Sequence, residues 1–229
     1  MAVTRTYLQG VGDSTNATSY TFSSQNLGAA DADRQIVVAI AGRALGTPTL
    51  SSVTVGGVSA TINKTQYTDS GGARSTAAIA IADVPTGTTG DVVLTYSAEM
   101  LRVGQALYSV TGANHTAYDT GGSSADNPSA SLDIPADGYG FGTAFILGSA
   151  TWTNLTEDYD EIDIEGYDIT GASSNSSGDL TRTCTPDPGQ ANVMAGVFVS
   201  YEEAGALSAT LKTWDTVLEA NIKTANTVS

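Results

Sequence analysis

Ser51-Ser52-Val53-Thr54-Val55-Gly56-Gly57-Val58-Ser59-Ala60-Thr61-Ile62 is the stretch whose reading decides the fold. Val53 and Val55 alternate with Ser52 and Thr54. Beyond Gly56-Gly57, Val58, Ala60 and Ile62 alternate with Ser59 and Thr61. Period-two patterning on both sides of a Gly-Gly pair predicts two antiparallel strands joined by a tight turn. The favoured hairpin turns need positive φ, which glycine adopts without steric cost. The second arm is expected to run on through Tyr67, with further strands added until two sheets close over a common core.

Working outward, strands are expected over 20–27, 75–84, 91–97, 102–111, 129–134, 139–147, 181–184 and 192–201. Residues 34–43 are apolar on both faces, as a central strand buried on each side would be. Arg34 and Arg43 at its two ends are expected to mark where it meets water. In 75–84, Ile79 and Ile81 share one face, and Ala78, Ala80 and Ala82 leave the other open to close approach by a second sheet. Gly138-Tyr139-Gly140-Phe141-Gly142 puts glycines on one face and aromatics on the other, which predicts close packing against the glycines. Residues 10–18 and 112–128 read as polar loops, and 155–178 as an acidic, then Ser/Asn-rich, exposed excursion.

Gly205 changes the period. Leu207, Leu211, Trp214, Val217, Leu218 and Ile222 recur at spacings of three and four, the pattern of an amphipathic helix of about four turns. Leu207, Leu211, Trp214, Leu218 and Ile222 form the expected interface, buried either on the chain's own sheets or on a neighbouring subunit. The expected class is all-β, an antiparallel, jelly-roll-like β-sandwich over 1–204 with a C-terminal amphipathic α-helix and tail over 205–229.

Charge narrows the partners. The formal net charge is −15, and residues 116–229 carry −14 of it. Such a surface repels phosphate backbones and anionic lipids, so neither nucleic acid nor a membrane is an expected partner. No apolar run approaches the ~20 residues of a membrane span. Met1–Arg5 lacks the charged-then-apolar leader pattern, so synthesis in a cytoplasm without self-directed export is expected.

The inventory of reactive groups is short. Cys184 is the only cysteine and His115 the only histidine, so no disulfide framework and no paired-His zinc site is available. Cys184, between threonines, reads as a small buried hydrophobe, and His115 as a loop cap. Gly12-Asp13-Ser14 has the look of an esterase nucleophile block, but no Asp-x-x-His follows, and no Gly-x-Ser-x-Gly elbow occurs. No cofactor is expected. The acidic run from Glu157 to Asp168 offers the oxygen ligands calcium requires. Its spacing is not that of an EF-hand loop, and strand alternation would split the acids between two faces, so a solvated acidic edge is the expectation and calcium the alternative. Trp152, Tyr159 and Tyr167 beside it could form a platform on which sugar stacks.

Arg34-Gln35-Ile36-Val37-Val38, Ser51-Ser52-Val53-Thr54-Val55-Gly56-Gly57, Pro85-Thr86-Gly87-Thr88-Thr89-Gly90-Asp91-Val92-Val93 and Tyr108-Ser109-Val110-Thr111-Gly112 occur in that order. The ordered set resembles a group of uncharacterised β-sandwich virion structural proteins of tailed bacteriophages, over about residues 18–112. The resemblance implies a non-enzymatic role in the virion, as an exterior capsid decoration or a tail-associated protein. Its partners would be other virion proteins and copies of itself. It assigns no catalytic residue and does not reach the acidic run or the C-terminal segment. The alternative expectation is a module that binds carbohydrate or another receptor on the host surface through Trp152 and its neighbours.

Overall fold

The computed structural model describes residues 3–68, 74–159, 162, 166–186 and 194–205. The interface expected at Leu207, Leu211, Trp214, Leu218 and Ile222, with the helix that carries it, lies outside the described residues. Within them the chain is all-β and every strand pairing is antiparallel. The first half contributes β1 (Thr4–Asp13), β2 (Ala17–Asn26), β3 (Gln35–Ala44), β4 (Leu50–Val55), β5 (Val58–Ser59), β6 (Thr61–Tyr67), β7 (Arg74–Asp83), β8 (Thr89–Met100) and β9 (Arg102–Thr111). The second contributes β10 (Asp119–Ser124), β11 (Ser129–Ile134), β12 (Tyr139–Ile146), β13 (Ala150–Thr153), β14 (Thr156–Tyr159), β15 (Asp168–Ser174), β16 (Gly178–Pro186) and β17 (Ala195–Tyr201).

The deciding hairpin forms as its sequence requires, with Val55 opposite Val58 and Thr54 opposite Ser59. Gly56 and Gly57 sit at φ 57° and 81°, conformations that a β-carbon would strain. Its second arm is shorter than expected. After Ser59 the chain leaves β4 and crosses to another sheet, where β6 pairs with the ten-residue β7 and Ile62 packs against the core.

Four sheets form, where two were expected. The N-outer sheet has the order β2-β8-β4-β5 and the N-inner sheet β1-β9-β3-β7-β6. The C-inner sheet is β10-β17-β12-β15-β14 and the C-outer sheet β11-β16-β13. They stack in that order, because each inner sheet is apolar on both faces. Ile36, Val38 and Ile40 of β3 face the N-outer sheet with Ala78, Ala80 and Ala82 of β7. Val37, Ala39, Ile79 and Ile81 face the C-inner sheet and meet Phe141, Phe145, Val197 and Val199. The far side of the C-inner sheet packs Phe198 and Ala172 against Leu132 and Ile134 of the C-outer sheet.

The two halves repeat one winding. Pairing β1 with β10, β2 with β11, β3 with β12, β4 with β13, β6 with β14, β7 with β15, β8 with β16 and β9 with β17 turns each N sheet into the matching C sheet; only β5 lacks a counterpart. Thr89-Gly90-Asp91 opens β8 and Ser177-Gly178-Asp179 opens β16. In both, the aspartate Oδ1 is tied to the neighbouring strand segment, accepting from Ser24 N–H at 2.8 Å or from the Ser131 hydroxyl. The inner sheets meet with β1 over β14 and β6 over β10. The pairing exchanges these two contacts, so the interface has the self-complementary form of a two-fold dimer, built here within one chain.

Two expected features are corrected by burial. Arg34 does not mark a water boundary: it is 1% exposed, with its guanidinium bonded to backbone carbonyls. Arg182, fully buried, does the same in the second half, donating to Asn154 O, Ser176 O and Gly178 O. Nor is 155–178 an exposed excursion throughout, since every residue of β15 is buried. Its Thr170 accepts from Trp152 Nε1 at 2.9 Å and donates to Tyr159 O at 3.2 Å. Hydroxyls satisfied in this way pack inside while reading as polar. The loops expected over 10–18 and 112–128 in turn contain the end of β1 and all of β10.

The glycine stripe of β12 packs as its pattern implies. A β-carbon on Gly142 would lie 2.6 Å from Trp152 Cζ3 and 2.9 Å from Leu155 Cδ1. Gly142→Ala is therefore expected to destabilise the fold by about 1–3 kcal/mol, the usual cost of overpacking. Chemical denaturation followed by Trp152 emission measures it, and a midpoint equal to wild type would contradict this packing.

Candidate functional site

The only histidine of the sequence lines a cleft of about 650 Å³ between the first half, the linker that follows it and Ala204. Three segments converge there. The β2–β3 turn supplies Asp31 and Asp33, with Asp31 Oδ1 accepting the Asp33 N–H at 2.9 Å. The end of β7 supplies Asp83, whose Oδ1 accepts from Gln35 Nε2 at 2.9 Å. The linker after β9 supplies His115, whose Nδ1 stands 3.7 Å from Asp83 Oδ2. Both side chains of that pair are well exposed, at 60% and 59%. The linker is held to the chain's last described turn, since Asn114 N–H donates to Glu202 O at 2.8 Å and Ala113 bridges Glu203.

His115 does not cap its loop. Asn114 does, its Oδ1 accepting the Thr116 N–H at 3.2 Å. Chemically, the cleft offers carboxylates and one imidazole without a serine or cysteine among its lining residues. Cys184 is fully buried. Ser14 is exposed beside Asp13, whose carboxylate is engaged by the Thr15 N–H and hydroxyl. Among the described residues, no group of three or more His, Cys, Asp and Glu side chains is placed to hold a metal ion.

The expected sugar platform is not assembled. Trp152 points inward, edge-on to Phe198 at 6.0 Å, with its indole N–H donated to Thr170. Tyr159 is buried and stacks on Tyr7 at 5.3 Å. Tyr167 is covered by Arg43 and Arg102, whose guanidinium carbons lie 4.6 and 4.9 Å from its ring centre. Side-chain alternation along a strand cannot say which side carries the second sheet, which is why these rings read as available.

The acidic run is also divided. Asp158 points into the seam, where Arg5 approaches Oδ1 at 2.5 Å and the Ser173 and Tyr108 hydroxyls donate to Oδ2 at 2.5 and 3.2 Å. Asp168 is buried and accepts the Gly148 N–H at 3.0 Å. Residues 160, 161 and 163–165 of the run lie outside the described residues. Burial raises the Asp158 carboxyl above its ordinary value, outweighing the Ser173, Arg5 and Tyr108 contacts that pull it down.

Sequence reasoning missed the outer faces of the stack. On the N-outer sheet, register aligns Ser19 with Thr95 and Ser52, and Thr21 with Val93, Thr54 and Ser59. On the C-outer sheet it aligns Ser129 with Thr183 and Thr153, and Ser131 with Thr181. Both poles of a strongly anionic chain therefore carry ladders of hydroxyls. On one face Asp91 and Glu99 stand towards opposite ends of β8; on the other Asp133 and Asp179 face each other towards one end of the ladder. The signal was present as alternation of Ser and Thr with apolar residues, but it became a surface only once the strands were in register.

No protein-family model matches the chain, and comparison with curated proteins and with solved structures gives no match.

Proposed function

We propose that this chain is a non-enzymatic structural component of a tailed-phage particle, on the capsid exterior or the tail, held by contacts with copies of itself and with other particle proteins. In this reading each half is a jelly roll, the order in which two Greek keys wind on one another. The supporting observation is the pair of hydroxyl-faced outer sheets on a chain of net charge −15. Another anionic subunit can approach such faces with little charge repulsion, and hydroxyls donate and accept without desolvating a charge. The groups that could do chemistry are mostly committed elsewhere: Arg34 and Arg182 to carbonyls, Asp158 to the seam, Cys184 to the core. With Trp152, Tyr159 and Tyr167 packed away, no observation favours the glycan-binding alternative.

Thr95→Glu and Thr183→Glu place a carboxylate in the middle of each outer face. Both positions are half-buried within strands, so each substitution is expected to cost about 1 kcal/mol of stability. Each should reduce incorporation into particles by about tenfold, equivalent to ~1.4 kcal/mol at a contact. Incorporation at the wild-type level in both variants would overturn the reading.

A further inference from the structure

The first half is not filled everywhere between its two sheets. Where β4 begins and β6 ends, a slot of about 50 Å³ opens between the N-outer and N-inner sheets. Ile40 and Ala78 of the inner sheet and Tyr96 of the outer sheet line it, all of them buried. Leu50 and Pro48 add to the apolar wall, and Tyr67, exposed at 49%, completes the lining on the β6 side. Tyr96 is only 4% exposed, yet its hydroxyl has no hydrogen-bond partner among the described residues. The neighbouring Tyr20, which meets the Tyr96 ring edge-on at 6.4 Å, is satisfied by Thr15 O and Met100 O at 2.7 and 3.1 Å. Burial also holds the Tyr96 phenol far above its ordinary pKa, so it stays a neutral O–H donor. A buried hydroxyl left unpaired costs stability that an occupant carrying an acceptor recovers.

The second half shows how the same place is filled. Aligning Asp91 with Asp179 matches Tyr96 with Cys184, and their partners across the sheet match Leu50 with Trp152. On the inner sheets, aligning the first residues of β3 and β12 matches Ile40 with Ala144, and their partners Ala78 with Thr170. Trp152 packs beside Ala144 and Cys184, and its indole N–H reaches the Thr170 hydroxyl. An apolar group with one hydrogen-bonding atom thus sits between the sheets of the second half. In the first half Leu50 supplies no ring and Ala78 no hydroxyl, and Tyr96 carries the polar atom instead. Apolar cavities of about 150 Å³ hold benzene, so a slot roughly a third as large takes a shorter, aliphatic group.

We propose that this slot binds a small neutral ligand, a short-chain ketone or alcohol, whose carbons pack against Ile40, Leu50 and Ala78 and whose oxygen accepts from the Tyr96 O–H. A carboxylate is outside the class, because none of the described lining residues is a cation that could offset its desolvation. The slot is separate from the hydroxyl ladders, so it stands or falls independently of the particle reading.

Butan-2-one is the probe. Titrated into the full-length protein, it is expected to shift the backbone amide resonances of Leu50, Ala78 and Tyr96, with a Kd of about 1–10 mM for a ligand of this size. Tyr96→Phe keeps the ring and should weaken binding by about three- to tenfold, the worth of one hydrogen bond. Without ligand, the same variant should keep or raise the thermal midpoint; a lowered midpoint would show that the hydroxyl is already bonded, and would overturn the proposal. Leu50→Trp, which copies Trp152, should fill the slot and abolish the response. Amides that ignore the ketone would leave the slot to water and sink the idea. Undiminished binding in Tyr96→Phe or in Leu50→Trp would do the same.

Discussion

Arg34→Met is expected to lower the thermal midpoint by about 6–20 °C, the largest effect of any single substitution considered. Arginine carries five N–H donors in a fixed fork, and here each has its own acceptor. Nε donates to Val84 O at 2.7 Å, Nη1 to Gly28 O and Ala29 O at 3.0 and 2.8 Å, and Nη2 to Thr86 O and Gly87 O, both at 2.8 Å. The side chain thereby fastens the β2–β3 turn to the β7–β8 turn. Methionine fills much of the same volume, so the loss isolates the hydrogen bonds from the packing. Leaving buried acceptors without donors costs ~1–3 kcal/mol each when water cannot reach them. These carbonyls lie near turns that can hydrate in part, which brings the expected total to about 3–5 kcal/mol. At roughly 2–4 °C per kcal/mol for a chain of this size, calorimetry resolves the shift easily. Arg34→Lys should recover only part of it, because a single ammonium has three donors and no fork. A shift below about 2 °C in Arg34→Met would show that the turns hold themselves.

Asp158→Ala is the second large effect, expected at about 3 kcal/mol, because it leaves Arg5 without its partner inside the seam. The Ser173 and Tyr108 hydroxyls would lose their acceptor as well. The pair itself is a poor stabiliser. Although Arg5 stands 2.5 Å away, burial holds the carboxyl pKa above its ordinary value, so the ionised form is less comfortable in the fold than in water. The sign of the pH dependence follows from that shift. A carboxyl with a raised folded pKa adds stability that is fully present below the unfolded pKa and is lost as pH rises through the folded one. Asp158→Asn cannot titrate, so its penalty relative to wild type should shrink as pH rises from about 3 to 7. Denaturation midpoints across that range check this; a penalty that grows with pH would mean that the Arg5 attraction dominates. Arg5→Met combined with Asp158→Leu should be milder than Asp158→Ala alone, because nothing charged is then left unpaired.

Taken together, these predictions separate what holds each half from what joins the halves. Arg34 closes turns within the first half, and Arg182 does so within the second. Asp158 and Arg5 lie across the seam, beside Tyr7, Tyr108, Tyr159 and Phe141, whose rings meet at centroid distances of 5.1–6.4 Å. A buried polar pair amid aromatic rings can align the inner sheets in one register, since sliding them would strand both charges.

The sequence by itself determined the strands with clear alternation or continuous apolarity. β3, β7, β9 and the β4 hairpin announce themselves through Val, Ile and Ala at period two or in unbroken runs, and Gly56-Gly57 could serve only as a turn. It also determined the shortage of reactive groups, because one histidine and one cysteine are facts of composition. Only the tertiary structure decided which face of each strand would be covered twice. Alternation distinguishes two faces but not their neighbours, so Trp152, Tyr159 and the polar β15 were legible as surface until a second sheet lay over them. The four-layer stack, the repeat of one winding and the hydroxyl ladders share that cause. Each depends on residues far apart in sequence being brought into register, and local propensity carries no information about that.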